Sequence, residues 1–339
     1  MGGILVLGID IGSYSVKAVS VKKSGRKATI EQVACEQLPP EMRGGGAVDL
    51  NTLRQINARL IKQLGKSHKS VALSVPTAST ILRTISLDAD LSDELLEGEV
   101  QIELVNFVPF PLDQIYVDYT SLGKSEKNPG QQEVFVAVSR RDVVDKVAGS
   151  VNLKSITHKE VDIEAFAIGQ LIEQIKGKNY RECYGVLDIG YRTTKMTVFK
   201  EGELLFSREQ QIGGQQLTET ISEVNAISIE EAESLKLTSI SSVPENVLTN
   251  YLDSVSEQIV LAIEFFSSTN NQDIETIYVT GGGSLVPGLT QNLSENISAM
   301  QFEPLPIGQE IKLGKKLYGL SSEAAIAMSA VAAGLSMRK

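Results

Sequence analysis

The sequence predicts an α/β protein of two similar lobes, with a small subdomain inserted in the first lobe. Strand-like and helix-like segments alternate along the chain, which favours an α/β architecture. The segment LGIDIGSYSVKAVSV (7–21) recurs in outline as YGVLDIGYRTTKMTVF (184–199), with Asp-Ile-Gly and a later Lys at the same offsets. The copies stand roughly 178 residues apart. Because that spacing is too long for a solenoid repeat, it indicates two similar lobes that face each other.

The first lobe begins with short apolar segments that are typical of strands. An amphipathic helix is predicted near 50–64, because Leu53, Ile56 and Leu60 fall on one face and Gly65 is a typical helix stop. The strands predicted around it cover 4–11, 16–21, 28–33 and 69–76.

The stretch 77–155 has a different pattern and is predicted to be the inserted subdomain. Ser92 can cap a helix that must end near Pro109, and a turn-rich segment separates strands near 114–122 and 133–139. An apolar stripe at helical spacing is typical of a core, with the wall of a binding groove as the alternative. The residues of that stripe are Leu96, Val100, Leu104 and Phe107.

The second half of the chain predicts a helix over 161–175, the second hairpin, and a strand that leads into three glycines in IYVTGGGSLVPGL (277–289). A further helix opens near Pro287, and Ser228 with Glu231 forms a possible capping box for a short helix. The lobe boundaries that follow are 1–176 with 319–339 for the first lobe and 177–318 for the second.

Composition excludes several functional classes. The formal net charge of −10 argues against nucleic acid as a partner. Two cysteines far apart and two histidines make a zinc site or a disulfide framework unexpected and fit a reducing, cytoplasmic compartment. The longest uncharged apolar run, near 324–335, is too short to span a bilayer. We therefore expect no direct membrane insertion and a membrane link only through a partner.

Each Asp-x-Gly hairpin carries groups that bind phosphate. Glycine permits close backbone approach, and successive N–H groups in the turn form an anion nest. Hydroxyls and an ammonium add donors, while an aspartate on the preceding strand can hold a hydrated Mg²⁺. For either copy alone, an ordinary strand-end turn is the alternative. The residues predicted in these roles are Gly12, Ser13 and Lys17, then Gly190, Thr193 and Thr194, with Asp10 and Asp188 at the metal.

A third glycine-rich element follows the strand near 277–280. Gly281, Gly282, Gly283 and Ser284 would let a flat ligand such as adenosine lie close to the backbone, and an ordinary β–α loop is the alternative. The short helix with the capping box presents Glu233 and Lys236 on one side, which is equally consistent with a solvated helix face.

These motifs together resemble the actin-like (ribonuclease H-like) fold of actin, sugar kinases and heat-shock chaperones. The segment EGEVQIELVNFVPFPLDQIYVDY (97–119) is similar to the PilM family of type IV pilus assembly proteins. The stretches IGGQQLT and EEAESLK also resemble PilM and its cell-division relative FtsA. The resemblance covers nearly the whole chain and makes 319–339 the second of two helices that connect the lobes.

The resemblance implies ATP and Mg²⁺ as cofactors. Asp10, Gly12, Ser13 and Lys17 match the first phosphate motif, and Asp188, Gly190, Thr193 and Thr194 match the second. The glycine-rich loop, Gly281 to Ser284, matches the adenosine motif, and Glu233 with Lys236 matches the ribose and adenine contacts.

Glu164 matches the glutamate that positions the attacking water in bacterial actins. In this chain Ala165 stands where those relatives have proline, so the resemblance implies at most weak ATPase activity. A solvated or helix-capping carboxylate is the alternative for Glu164.

The family resemblance also implies a partner and a place in the cell. It predicts a scaffold that binds the cytoplasmic N-terminal tail of a single-span inner-membrane protein similar to PilN and links it to the pilus motor ATPases. The scaffold would be cytoplasmic and peripheral at the inner membrane. A small-molecule kinase and a filament-forming actin homologue are the alternatives, which phosphotransfer assays and sedimentation with ATP would separate.

Overall fold

A computed structural model describes residues 5–24, 27–46, 48–65, 68–125, 128–178 and 180–338. The chain divides into a larger compact unit, Met1–Ser74 with Ser150–Lys339, and a smaller one, Val75–Gly149. The strands are β1 (Val6–Ile11), β2 (Ser15–Ser24), β3 (Lys27–Gln37), β4 (Ser70–Val75), β5 (Thr80–Asp88), β6 (Ile115–Lys124), β7 (Gln131–Arg140), β8 (His158–Ile163), β9 (Tyr184–Ile189), β10 (Thr194–Lys200), β11 (Glu203–Gln210), β12 (Thr276–Thr280), β13 (Gln301–Pro304) and β14 (Lys312–Tyr318). The helices are α1 (Leu50–Leu64), α2 (Asp93–Phe107), α3 (Arg141–Gly149), α4 (Glu164–Lys176), α5 (Gly214–Asn225), α6 (Ile229–Thr238), α7 (Glu245–Thr269), α8 (Leu289–Asn296), α9 (Ser322–Met328) and α10 (Ala330–Ser336).

The larger unit contains two β-sheets. The strand order is β14-β3-β2-β1-β4-β8 in the first sheet and β11-β10-β9-β12-β13 in the second. In each sheet one antiparallel hairpin, β1 with β2 or β9 with β10, also pairs in parallel with a later strand, β4 or β12. The two hairpins therefore occupy equivalent positions, which is how the sequence repeat is expressed in the fold.

Helices α4 and α10 share one core with both sheets. Val19 of the first sheet, Val186 of the second, Leu171 of α4 and Leu335 of α10 belong to the same buried cluster. A Cβ at Gly334 would lie 1.8 Å from the carbonyl oxygen of Ala167. The two helices therefore meet backbone to backbone, which explains the small residues in the C-terminal segment.

The smaller unit is a three-stranded antiparallel sheet, ordered β5-β7-β6, with α2 packed on it. Ser92 caps α2 as predicted, since its hydroxyl accepts a hydrogen bond from the backbone N–H of Leu95. The predicted apolar stripe forms the core of this unit, so the alternative of a groove wall is wrong for it. Its buried members are Leu96, Val100 and Leu104, with Phe107 partly buried beside them.

Two helices differ from the sequence prediction. The helix predicted over 161–175 begins at Glu164, because 158–163 forms β8 at the edge of the first sheet. The segment 319–339 contains two short helices, α9 and α10, which meet at Ser329, where φ is −97° and ψ is −3° and the hydroxyl donates to the carbonyl of Ala325. Within the described ranges, no helix has both the length and the apolar character needed to cross a membrane.

Candidate functional site

The turns of the two hairpins are built alike and open onto one cleft. Asp10 faces Lys17 across the first hairpin, and Asp188 faces Lys195 across the second, in the same antiparallel register. The cleft has a volume of about 340 Å³, which is within the usual range of small-molecule sites. The hydrogen bonds that close the turns run from Gly12 N–H to Ser15 O at 3.0 Å and from Gly190 N–H to Thr193 O at 2.9 Å.

Most of the predicted site residues line this cleft. Two do not: the hydroxyl of Thr194 is buried and donates to the carbonyl of Ile212, and the hydroxyl of Ser284 donates to the carbonyl of Gly281. Neither is among the described residues that line the cleft. The predicted residues that do line it are Asp10, Gly12, Ser13, Lys17, Glu164, Asp188, Gly190, Thr193, Glu233, Lys236, Gly281, Gly282 and Gly283.

The glycine-rich loop lies directly against the second hairpin. Gly281 has φ +88°, and a Cβ there would lie 2.3 Å from Oδ1 of Asp188 and 2.4 Å from the carbonyl oxygen of Ile189. Only glycine therefore fits at this position without strain. The close approach brings the backbone of the loop to the edge of the phosphate-binding hairpin.

Two ion pairs define the charge at the centre of the cleft. The ammonium of Lys17 donates to Oδ2 of Asp10 at 2.7 Å, and that of Lys195 donates to Oε1 of Glu164 at 2.6 Å. Glu164 is only 7% exposed, so the alternative of a solvated carboxylate is wrong. Three carboxylates, including Asp188, thus share this region with two lysines.

Burial controls the protonation of these groups. Burial raises the pKa of Glu164, and the ammonium of Lys195 opposes that shift. Burial likewise raises the pKa of Asp188, again against the field of Lys195. Burial alone would lower the pKa of Lys195, but attraction to Glu164 and Asp188 outweighs it and raises the value.

Glu233 and Lys236 form a second polar centre on α6. Their side chains pair at 2.7 Å and are 7% and 9% exposed, respectively, so the alternative of a solvated helix face is wrong. The ammonium of Lys236 also donates to the carbonyl of Gly214 at 2.9 Å and to the hydroxyl of Thr218 at 2.7 Å. Burial lowers the pKa of Lys236 despite the pairing with Glu233.

Sequence reasoning missed an aromatic pair that joins the two hairpin turns. The rings of Tyr14 and Tyr191 lie 4.9 Å apart, and the guanidinium of Arg43 stands 4.7 Å from the Tyr14 ring centre. Burial and the nearby carboxylate of Glu233 raise the pKa of Tyr14 to about 12. Each tyrosine directly follows a predicted phosphate-binding residue, Ser13 or Gly190, but they stand at different offsets from their aspartates, so the repeat did not mark them as a pair.

Lys195 was seen in the sequence repeat but was not predicted to be a site residue. Its offset from Asp188 equals that of Lys17 from Asp10, so the repeat itself marked it as a candidate. It lines the cleft and contacts Glu164. The contact partner could not be predicted, because Glu164 lies on a different element.

The donor set fits a polyphosphate with a hydrated cation. Three lysines (Lys17, Lys195 and Lys236) and the hydroxyl residues Ser13 and Thr193 line the cleft, and Oε2 of Glu164 is buried with no hydrogen-bond partner among the described residues. In the part of the chain that the structure describes, no three His, Cys, Asp or Glu residues gather as a metal cluster. Mg²⁺ commonly keeps its waters and binds one or two carboxylates with substrate phosphates, a mode that Asp10 and Asp188 fit.

Comparison with known proteins identifies the family. Residues 8–339 match the family model described as type IV pilus assembly protein PilM. The chain belongs to the PilM family. A solved structure of a PilM–PilN type IV pilus biogenesis complex superposes on this PilM chain with a TM-score of 0.80 at 23% identity, covering 99% of this chain and 98% of that one. This confirms the resemblance to PilM that the sequence predicted.

Other relatives confirm the actin-like α/β fold of this PilM protein. The ethanolamine utilization protein EutJ from Carboxydothermus hydrogenoformans matches with a TM-score of 0.55 at 15% identity, covering 98% of this chain and 88% of that one. MreB5 of Spiroplasma citri, solved with bound ADP, matches with a TM-score of 0.50 at 12% identity, covering 97% and 94% of the two chains.

Two further proteins are similar to this chain in sequence. The cell division protein FtsA of Enterococcus faecalis is 23% identical over 343 residues, covering 87% of this chain and 77% of FtsA. EutJ of Escherichia coli is 27% identical over 117 residues, or 34% of this chain and 40% of EutJ. The match thus spans about two fifths of the length of that EutJ protein.

Proposed function

We propose that this PilM protein is an ATP-binding scaffold that holds the cytoplasmic tail of an inner-membrane partner during type IV pilus assembly. The main support for ATP binding is that two equivalent hairpins, each with an aspartate opposite a lysine, line one cleft. Opposed phosphate-binding turns are what a site needs in order to clamp a polyphosphate. The ADP bound to the related MreB5 is consistent with a nucleotide in this fold.

The nucleotide would lie across the cleft from α6 to the hairpins. The loop Gly281–Gly283 would accept the adenosine, with Glu233 and Lys236 toward the ribose and adenine. The hairpins would hold the phosphates, and Asp10 and Asp188 would hold the water shell of Mg²⁺. The bound ion would neutralise phosphate charge. The lobes would be 1–176 with 319–339 and 177–318, joined by the helices of the shared core.

We expect slow hydrolysis because the surroundings of Glu164 differ from those in the hydrolytic relatives. Ala165 follows Glu164 where the resemblance to bacterial actins has proline, so the helix start that would position an attacking water is altered. We expect turnover below about 1 per second, the lower end of typical enzyme rates. Phosphate release measured at saturating ATP checks this, and a rate well inside the ordinary enzyme range would contradict it.

The partner would be the N-terminal tail of a single-span inner-membrane protein similar to PilN. Family membership supports this, as does the likeness to a structure of a PilM–PilN complex. Binding the tail would place the scaffold at the cytoplasmic face of the inner membrane. The pilus motor ATPases would be further partners.

The outer face of α2 fits such a tail. Leu95, Ile102 and Val105 are 60%, 61% and 68% exposed on the side away from the core of the smaller unit. Helix α2 carries acidic residues but no Lys or Arg. Cytoplasmic segments next to membrane spans are enriched in Lys and Arg, so their charge and apolar residues complement this face.

Capture of tail peptides by the immobilised full-length protein tests the proposal. We expect an apolar, basic N-terminal peptide of the membrane partner to bind, and ATP–Mg²⁺ to change its affinity. The double substitution I102S/V105S should weaken capture by at least about tenfold, the loss expected from two buried aliphatic contacts. The control Leu261→Ser alters a residue that is 50% exposed on α7 and should leave capture unchanged. Full capture by the α2 variant would refute this docking face, and no capture by the wild type would refute the partner.

A further inference from the structure

Lys195 lines the cleft but has no part in the nucleotide contacts proposed above. Its side chain is 25% exposed, against 12% for Lys17, its counterpart in the first hairpin. The ammonium of Lys17 is committed to the aspartate opposite it on the same hairpin. Lys195 therefore presents the more accessible positive charge to a ligand.

The partner of Lys195 is incompletely satisfied. Glu164 is buried, and its Oε1 accepts the lysine while Oε2 has no hydrogen-bond partner among the described residues. A phosphate with a larger negative charge can compete with Glu164 for the ammonium, although the exchange leaves a buried carboxylate without its partner. An ammonium also has three donors, of which the contact with Glu164 uses one.

The pair lies among the charged groups of the two hairpins. The charges that act on Glu164 are those of Lys195, Asp10 and Asp188, all on the hairpins. Glu233 instead pairs with Lys236 on α6. A nucleotide whose ribose lay toward α6 would extend its phosphate chain toward the hairpins, where Lys195 lies.

We propose that Lys195 binds the terminal phosphate of a nucleoside triphosphate and exchanges Glu164 for it. The proposal rests on the proposed nucleotide function and adds a residue that distinguishes triphosphate from diphosphate. A terminal phosphate carries between one and two negative charges near neutral pH and is a stronger partner for an ammonium than one carboxylate oxygen. A diphosphate would lack this terminal group. Exchange would release the carboxylate of Glu164 only when the triphosphate is bound.

Calorimetric titration of the full chain with ADP and with a non-hydrolysable ATP analogue, both with Mg²⁺, tests the proposal. Lys195→Gln should weaken binding of the triphosphate analogue by about tenfold or more, the loss expected for one charged hydrogen bond, and ADP binding by less than about threefold. Glu164→Gln should strengthen binding of the analogue alone, since it removes the competing carboxylate. Lys195→Arg keeps the positive charge and should retain most of the preference for the triphosphate analogue over ADP.

Lys200→Gln is the matched control, because Lys200 lies on the same strand, bonds Gln272 and is not among the described residues that line the cleft. It should change neither affinity. Equal weakening of both nucleotides by Lys195→Gln would assign Lys195 a structural role and overturn the proposal. An unchanged or weaker triphosphate affinity in Glu164→Gln would overturn it independently, even if the lysine variant unfolds. A wild-type protein that binds neither nucleotide would instead refute the proposed function, and this proposal with it.

Discussion

The two hairpins share register and turn geometry, yet their lysines have different partners. Lys17 donates to Asp10, directly across its own hairpin, whereas Lys195 reaches Glu164 at the start of α4. The first hairpin is therefore locally neutral. Among the described residues Asp188 has no ion pair within 4 Å. The two turns therefore have the same backbone geometry, as the repeat predicts. The partner of the second lysine differs, because α4 places Glu164 within reach of Lys195.

The hairpins also differ in what covers them. The second is covered by the backbone of the glycine-rich loop, because a Cβ at Gly281 would meet Asp188 and the carbonyl of Ile189. At Gly12 in the first hairpin, the nearest atom to a Cβ would be the flexible ammonium of Lys17, 2.8 Å away. The second hairpin is therefore the more rigidly enclosed of the two.

The largest predicted effect compares these glycines. Gly281→Ala should lower the free energy of unfolding by more than about 2 kcal/mol, because the new side chain combines a positive φ with a backbone clash. Gly12→Ala should cost less than about 1 kcal/mol, because the side chain of Lys17 can move aside. Urea unfolding of both variants measures the difference. Equal costs would show that the two turns are equally enclosed.

The next effect compares the two aspartates. Asp188→Asn should weaken Mg²⁺-dependent ATP binding by about tenfold or more, since this carboxylate is the one without a competing lysine. Asp10→Asn should weaken it by less, because Lys17 already neutralises Asp10. Calorimetry with and without Mg²⁺ measures both, and Asp253→Asn on α7 serves as a control outside the cleft. If Asp10→Asn weakened ATP binding more than Asp188→Asn, the inference that Lys17 neutralises Asp10 while Asp188 stays available to the metal would be wrong.

The smallest effect concerns the contact between the two turns. A double-mutant cycle of Tyr14→Leu and Tyr191→Leu should give a coupling of about 0.5–1.5 kcal/mol in the free energy of unfolding, as measured for other aromatic pairs. Thermal or urea unfolding of the four proteins gives the value. Additive effects would mean that the rings, 4.9 Å apart, do not stabilise the closed cleft.

The features that the sequence predicted are local or periodic. The equal offsets from Asp10 to Lys17 and from Asp188 to Lys195 predict two equivalent hairpins, because a tight hairpin fixes its own register. The capping box of Ser228 and Glu231 needed only four residues and is confirmed.

The features that could not be predicted from the sequence depend on tertiary contacts. Residues 161–163 resemble a helix start in sequence, but their backbone belongs to the edge of the first sheet. The bond from Lys195 to Glu164 joins a strand to a helix 31 positions away, and no local pattern encodes it. The burial of Glu233 likewise depends on α5, whose Thr218 bonds its carboxylate.

Calorimetry of ATP–Mg²⁺ binding to the wild-type chain gives the number of ATP molecules bound per chain. This number tests most directly whether both hairpins clamp one nucleotide. We expect one ATP per chain, and no measurable binding in a folded Asp10→Asn/Asp188→Asn double variant. Two ATP molecules per chain, one at each hairpin, or full binding by the double variant would contradict it.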